Sequence, residues 1–308
     1  MSNAGSRRAV VAALLANLAI AVAKFVAFAV TGASSMLAEA VHSVADTGNQ
    51  GLLMFGGRRA QRDADERHPF GYGRDRYFYA FVVALVLFSL GSLFALYEGV
   101  HKILDPHPIE DPAVAFIVLG VAVVLETFSF RTAFRESKAV KTVGISWPEF
   151  IRRTKEPELP VVLLEDTAAL IGLFCALVGV GAAVITDDGR WDGAGTLAIS
   201  ALLAFVASVL AVEMKSLLIG EAASAGNVAD IEAALLGGPE VSRVIHLRTM
   251  HLGPDELLVA AKIAVEHDDT AAEVARGIDA AEKRVRAAVP IARLIYLEPD
   301  LDRSTERG

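Results

Sequence analysis

Six apolar stretches dominate the sequence, at residues 9–32, 34–55, 77–101, 112–132, 160–185 and 193–218. A helix rises about 1.5 Å per residue, so about 20 apolar residues cross the hydrocarbon core of a bilayer. Each stretch reaches that length, and together they predict an all-α membrane domain of six transmembrane helices over residues 1–219. The first stretch is too long for the apolar part of a signal peptide and runs into the second, so a cleaved leader is not expected. Composition agrees: 54% of residues are apolar, 21% are charged, and the mean hydropathy is +0.45. Disorder is excluded at that apolar content. Cys175 is the only cysteine, which excludes a disulfide framework and a cysteine-built zinc site.

The loops predict the orientation. Six arginines lie between residues 58 and 76, and six basic side chains lie between 135 and 155. Arg7 and Arg8 precede the first stretch, whereas the other three connections hold only Lys102 and Arg190. Basic loops stay on the cytoplasmic side, so both termini are expected in the cytoplasm of a multi-pass protein of the cell membrane, plasma or inner.

Beyond residue 219 the pattern changes. Residues 227–237 show helical apolar spacing, 241–250 and 257–265 alternate as strands, 270–289 form a second amphipathic helix, and 292–297 a third strand. Gly253-Pro254-Asp255 marks a turn between the first two strands. The order αββαβ predicts a small two-layer α+β cytoplasmic domain over 220–308. At this size its core is modest, so a second copy would help to stabilise it. The formal net charge is −8, of which the tail contributes −6 through 16 acidic and 10 basic side chains. An acidic chain without a basic patch excludes nucleic acid as a partner.

Polar residues inside the apolar stretches carry the chemistry. His42 and Asp46 are four residues apart and share one helix face, and Glu39 and Asn49 continue the stripe. An imidazole and a carboxylate so placed can bind one divalent cation. The alternative is a polar packing stripe between helices. Ionisable groups at membrane depth are costly and mostly functional, which favours the metal reading. In the fifth stretch Glu165 and Asp166 are adjacent and need a compensating charge, which a cation shared with His42 and Asp46 would supply. Neighbouring residues point about 100° apart on a helix, so one of the two is expected to contact the ion. The competing reading pairs one of them with Lys24 or makes it a cap. Lys24 with Glu39 reads as a structural ion pair, and Glu98, Glu126 and Glu213 as side chains reaching toward helix ends. Asp65, His68 and Tyr72 lie in the loop after the second stretch, where a solvated loop competes with a secondary metal site.

Three motifs together resemble the cation diffusion facilitator family. They are Ala38-Glu39-Ala40-Val41-His42-Ser43-Val44-Ala45-Asp46-Thr47, His68-Pro69-Phe70-Gly71-Tyr72-Gly73-Arg74, and His246-Leu247-Arg248-Thr249. Residues 42–50 and 164–172 look most like the zinc-transporter-9-like branch. The resemblance covers nearly the whole chain and implies six helices with a ferredoxin-like tail. It also implies a homodimer in a lipid bilayer that exports Zn²⁺, with Mn²⁺, Co²⁺ and Fe²⁺ as other candidate ions, in exchange for protons. In that family the main site takes two side chains from helix two and two from helix five. His42 and Asp46 match the first pair. The second pair aligns with Glu165 and Ala169, so one ligand is missing and Asp166 or a water must fill the gap. Asp65 and His68 match two members of a loop site in which Tyr72 replaces a third. His246 and Glu298 match cytoplasmic metal positions, with Lys262 and Tyr296 where further ligands are expected.

The mechanism this implies is alternating access about a midplane site, with metal displacing protons from His42 and the carboxylates. A second reading, motivated by the missing ligand, is a non-transporting metal sensor or assembly partner. Neither a zinc-protease motif nor a nucleophile elbow occurs, so an enzyme is not expected.

Overall fold

A computed structural model describes residues 18–301, the side chains of Leu87 and Phe88 excepted. Residues 9–17 of the first apolar stretch, Arg7 and Arg8, and the last residues of the tail, 302–308, lie outside the described residues. The elements in chain order are α1 (Leu18–Thr31), α2 (Ser34–Ala60), α3 (Asp75–Leu104), α4 (Pro112–Val140), α5 (Trp147–Arg153), α6 (Glu158–Thr186) and α7 (Arg190–Ile219). They are followed by α8 (Ala225–Leu236), β1 (Arg243–Gly253), β2 (Glu256–Val265), α9 (Ala271–Ala288) and β3 (Ala292–Leu301). Among the described residues, four helices are long and apolar enough to cross a membrane: α3, α4, α6 and α7. The described part of α1 is shorter, and the 27-residue α2 is interrupted by the polar stripe through Glu39, His42 and Asp46. The short helix α5 was not expected, and most helices run several residues past the apolar stretches that mark them.

The chain divides into two compact units. The first holds the described residues up to Arg58 together with Phe78–Lys215. The second holds Arg59–Tyr77 together with the residues from Ser216 onward.

In the first unit, small residues let helices approach closely. A Cβ on Gly179 of α6 would lie 3.0 Å from the Trp191 carbonyl oxygen, and one on Gly195 of α7 would lie 2.9 Å from that of Cys175. Backbone-to-backbone packing of this kind is the usual reason for small residues between membrane helices. Ser92 of α3 and Ser200 of α7 each donate a hydroxyl to the other's carbonyl, at 2.9 and 2.8 Å.

The corner between α1 and α2 is fixed by two buried charges. Gly32 adopts φ +61°, a left-handed conformation that a Cβ would oppose, and its N–H closes α1 on the Phe28 carbonyl. Lys102 of α3 donates to the Gly32 carbonyl at 2.9 Å. Asp192 of α7 accepts from the backbone N–H of Ser34 at 2.7 Å and of Ser35 at 3.3 Å, and from both serine hydroxyls. A carboxylate on the first N–H groups of a helix satisfies donors that have no partner within it. This contact sets where α2, and its polar stripe, begins.

The second unit contains the αββαβ order expected from the sequence. The sheet order is β1-β2-β3, with β1 antiparallel to β2 and β3 parallel to it. Leu257, Val259, Ala261 and Ile263 of β2 face a core that also takes Ile231 and Leu235 from α8 and Ala281 and Val285 from α9. Ser224 caps α8, and Thr270 with Glu273 forms a capping box on α9. The connection 59–77 packs on the β1–β2 turn: a Cβ on Gly73 would lie 2.7 Å from the Leu252 carbonyl oxygen.

Candidate metal centre

The polar stripe of α2 is buried, as its spacing predicts. Glu39, His42, Asp46 and Asn49 are at most 7% exposed. His42 Nδ1 lies 3.5 Å from Asp46 Oδ1, one helical turn apart. Glu165 and Asp166 of α6 are buried as well, and they diverge as adjacent helical residues must. Glu165 meets the side chains of Asp46 and Asn49. Asp166 turns to α4, where the Ser129 hydroxyl donates to both of its oxygens at 3.1 and 3.2 Å. The structure therefore brings His42, Asp46 and Glu165 toward one place and holds Asp166 beside it.

Hydrogen bonding at this place is incomplete. Buried Asp46 Oδ1, Asn49 Oδ1 and Glu165 Oε2 accept no hydrogen bond within the described residues. Buried acceptors without donors are costly and call for a specific explanation. These are hard oxygen donors beside an imidazole, a set that suits a divalent cation. Among the described residues, no three His, Cys, Asp or Glu side chains stand together in a geometry that would hold an ion. Ala169, one turn beyond Glu165, is buried and offers no ligand.

Two further features surround the centre. Lys24 of α1, fully buried, donates to Glu39 Oε2 at 3.0 Å and to the Ser43 hydroxyl at 2.8 Å. The structural ion pair expected from the sequence is present, and it involves Glu39 rather than Glu165 or Asp166. Glu126 of α4, which the sequence suggested would reach a helix end, instead interacts electrostatically with Lys24, Glu39, Asp46 and Asp166. Ser129 and Asp192 were missed. A serine in an apolar helix and an aspartate at a helix start are too common to single out.

The secondary candidates are differently placed. Asp65 accepts from the Tyr72 hydroxyl at 2.7 Å and from the backbone of Arg67 and His68, which organises the loop. The Tyr72 hydrogen bond, then the His68 N–H, hold the Asp65 carboxyl below the usual carboxylate range. His68 Nδ1 lies 3.5 Å from Asp65 Oδ1, both side chains nearly half exposed. His246 and Glu298 flank Lys262 across the sheet, and Lys262 pairs with Glu298 and Asp300, each at 3.0 Å. A shallow cavity of about 210 Å³ on that face is lined by His246, Arg248, Tyr296 and Glu298. The ammonium of Lys262 already neutralises the Glu298 and Asp300 carboxylates that a cation would need.

Residues 10–219 match the cation efflux transmembrane domain, and residues 223–300 match the cation efflux protein cytoplasmic domain. The chain belongs to the cation efflux family. That family is one of membrane transporters, not of enzymes. It is 30% identical over 241 residues to the human proton-coupled zinc antiporter SLC30A9, mitochondrial, which is 78% of this chain and 42% of that protein. It is 29% identical over 259 residues to metal tolerance protein C4 of Arabidopsis thaliana, covering 84% of this chain and 57% of that one. Magnetosome protein MamB of Magnetospirillum gryphiswaldense is 23% identical over 303 residues, covering 92% and 90%. The chain thus spans about half the length of the first two relatives.

Proposed function

We propose that this chain moves a divalent cation, Zn²⁺ foremost, out of the cytoplasm in exchange for protons, by alternating access about His42, Asp46 and Glu165. Asp166 supports the set from the α4 side. The observation that carries this reading is the convergence of buried, unsatisfied oxygens on α2 and α6 within an apolar helical unit. Binding a cation needs the imidazole neutral and the carboxylates ionised, so metal and protons compete for the same groups. The name of the human relative, a proton-coupled zinc antiporter, supports both the ion and the coupling.

The remaining architecture follows the same reading. Six spans place both termini in the cytoplasm of the plasma or inner membrane. Residues 1–219 form the transport domain, and residues 220–308 form a ferredoxin-like domain that joins two copies in a homodimer. Asp65 with His68, and His246 with Glu298, are secondary positions for metal. In both pairs, hydrogen bonds or a lysine already occupy the carboxylates.

The test is uptake into proteoliposomes under a pH gradient, with Zn²⁺, Mn²⁺, Co²⁺ and Fe²⁺ compared in parallel. Saturable flux in the wild type should fall to background in Asp46→Ala. Flux that survived both His42→Ala and Asp46→Ala would sink the assignment. Metal binding without flux for any ion would favour the sensor reading, for which the missing ligand at Ala169 is the supporting observation.

A further inference from the structure

Glu39 lies on the same face of α2 as His42 and Asp46, three and seven residues earlier. It is completely buried, and among the described residues only one of its oxygens accepts a hydrogen bond. Oε2 accepts from Lys24, while Oε1 accepts no hydrogen bond among the described residues. Oε1 lies against Gly172 of α6, where a Cβ would come within 2.7 Å of it. Gly172 lies two turns beyond Glu165, and buried Ala169 lies between them. The two small residues leave α6 without a ligand on the stretch that a fourth donor would occupy. A carboxylate with an oxygen uncommitted among the described residues therefore reaches the α2–α6 interface about one turn from Ala169, the position that offers no ligand.

Lys24 is what restrains that carboxylate. Its ammonium is bound to Glu39 and to the Ser43 hydroxyl, and it interacts electrostatically with Asp46 and with Glu126 from α4. A buried lysine so placed subtracts one carboxylate from the groups available to a passing cation. We propose that Lys24 sets the affinity of the site, as a tethered cation that withholds Glu39 from the ion-binding set and so keeps the transported ion weakly held. This inference rests on the site assigned above. A transporter must release its ion, and a fourth donor that is also anionic would complete a tetrahedral site and oppose release.

Zn²⁺ titration calorimetry on the purified full chain tests this, with flux in proteoliposomes alongside. Lys24→Met should bind Zn²⁺ about tenfold more tightly or better, because a unit negative charge is added beside the ion in a poorly screened interior. Its KM and kcat should fall together, since tighter binding slows release. Lys24→Met/Glu39→Gln should return to within about threefold of the wild-type affinity, because the pair is removed without adding charge. Unchanged affinity in Lys24→Met overturns the proposal, as does tight binding that persists in the double variant. Loss of affinity in the double variant also overturns it, since Glu39 would then already be a ligand. Should Lys24→Met not fold with Glu39 left alone, the double variant still decides between the last two outcomes. Asp46→Ala separates the two levels. If it binds as wild type, the site assignment itself fails. If it loses binding while Lys24→Met is unchanged, only the role of Lys24 fails.

Discussion

The two units each set a lysine against carboxylates, and the settings differ in every respect that matters energetically. Lys24 and Glu39 are fully buried among membrane helices. Lys262 lies on an open sheet face, its side chain 24% exposed, with partners Glu298 and Asp300 at 67% and 29%. Nζ–O distances are 3.0 Å in all three pairs. Distance therefore says little about consequence. Water screens the sheet pair and can replace either partner. Nothing replaces Lys24 if it is lost, because the desolvated Glu39 carboxylate would remain without compensation. Equal geometry in the two units thus supports a structural and functional role in one and a surface arrangement in the other.

The sharpest way to break this comparison is to remove one partner from each. Glu39→Ala should destabilise the protein by about 3–5 kcal/mol, the cost typical of breaking a buried pair, read from thermal unfolding in detergent. Lys262→Met should leave the unfolding midpoint of the full chain unchanged. If both variants behaved alike, burial would not be the deciding variable.

Asp192 sharpens the same contrast with a smaller effect. It is as buried as Glu39, but neutral donors satisfy it: the N–H and hydroxyl groups of Ser34 and Ser35. Asp192→Ala leaves those N–H groups without an acceptor and should cost about 1–3 kcal/mol. The loss should be local, with faster amide exchange at Ser34 and Ser35 than deeper in α2. Uniform exchange along the whole helix would mean that Asp192 supports the bundle generally rather than the start of α2.

Much of this was legible in the sequence because the bilayer simplifies the rules. Long apolar stretches marked the helices, and a charged residue inside one was conspicuous. His42, Asp46 and Glu165 could be named before any coordinate, and so could the Lys24–Glu39 pair. What stayed hidden was direction. Spacing along α6 showed that Glu165 and Asp166 diverge, but not which faces α2. That depends on how α4 and α6 pack, and Ser129, which settles the Asp166 side, is unremarkable as a letter. The role of Glu126 was misjudged for the same reason. Its distance along α4 suggested an interfacial residue, whereas the charges that act on it come from α1, α2 and α6, with Lys24 attracting it and Glu39, Asp46 and Asp166 repelling it. In the tail, alternation and the Gly-Pro-Asp turn marked β1 and β2, and helical apolar spacing and amphipathicity marked α8 and α9. The position of Lys262 between His246 and Glu298 became visible only through strand register.

The smallest effect expected is also the most direct probe of an exposed carboxylate. The hydrogen bond to Asp65 is the main cause that raises the Tyr72 hydroxyl above its ordinary value of 10.0, with desolvation and the Asp65 charge adding to it. A raised folded value means that the protonated phenol is favoured by the fold. Its contribution is complete below the ordinary tyrosine range and is lost as pH rises through the higher folded value. Difference absorbance of tyrosinate between wild type and Tyr72→Phe should therefore show one phenol that ionises later than a free tyrosine. Asp65→Asn removes the charge and should move that titration downward, with no change in unfolding midpoint at neutral pH. Were the Tyr72 titration unmoved in Asp65→Asn, the 2.7 Å contact would not organise the loop in solution. The three carboxylates, Glu39, Asp192 and Asp65, would then no longer form a graded series from lysine-paired through donor-satisfied to solvent-shared.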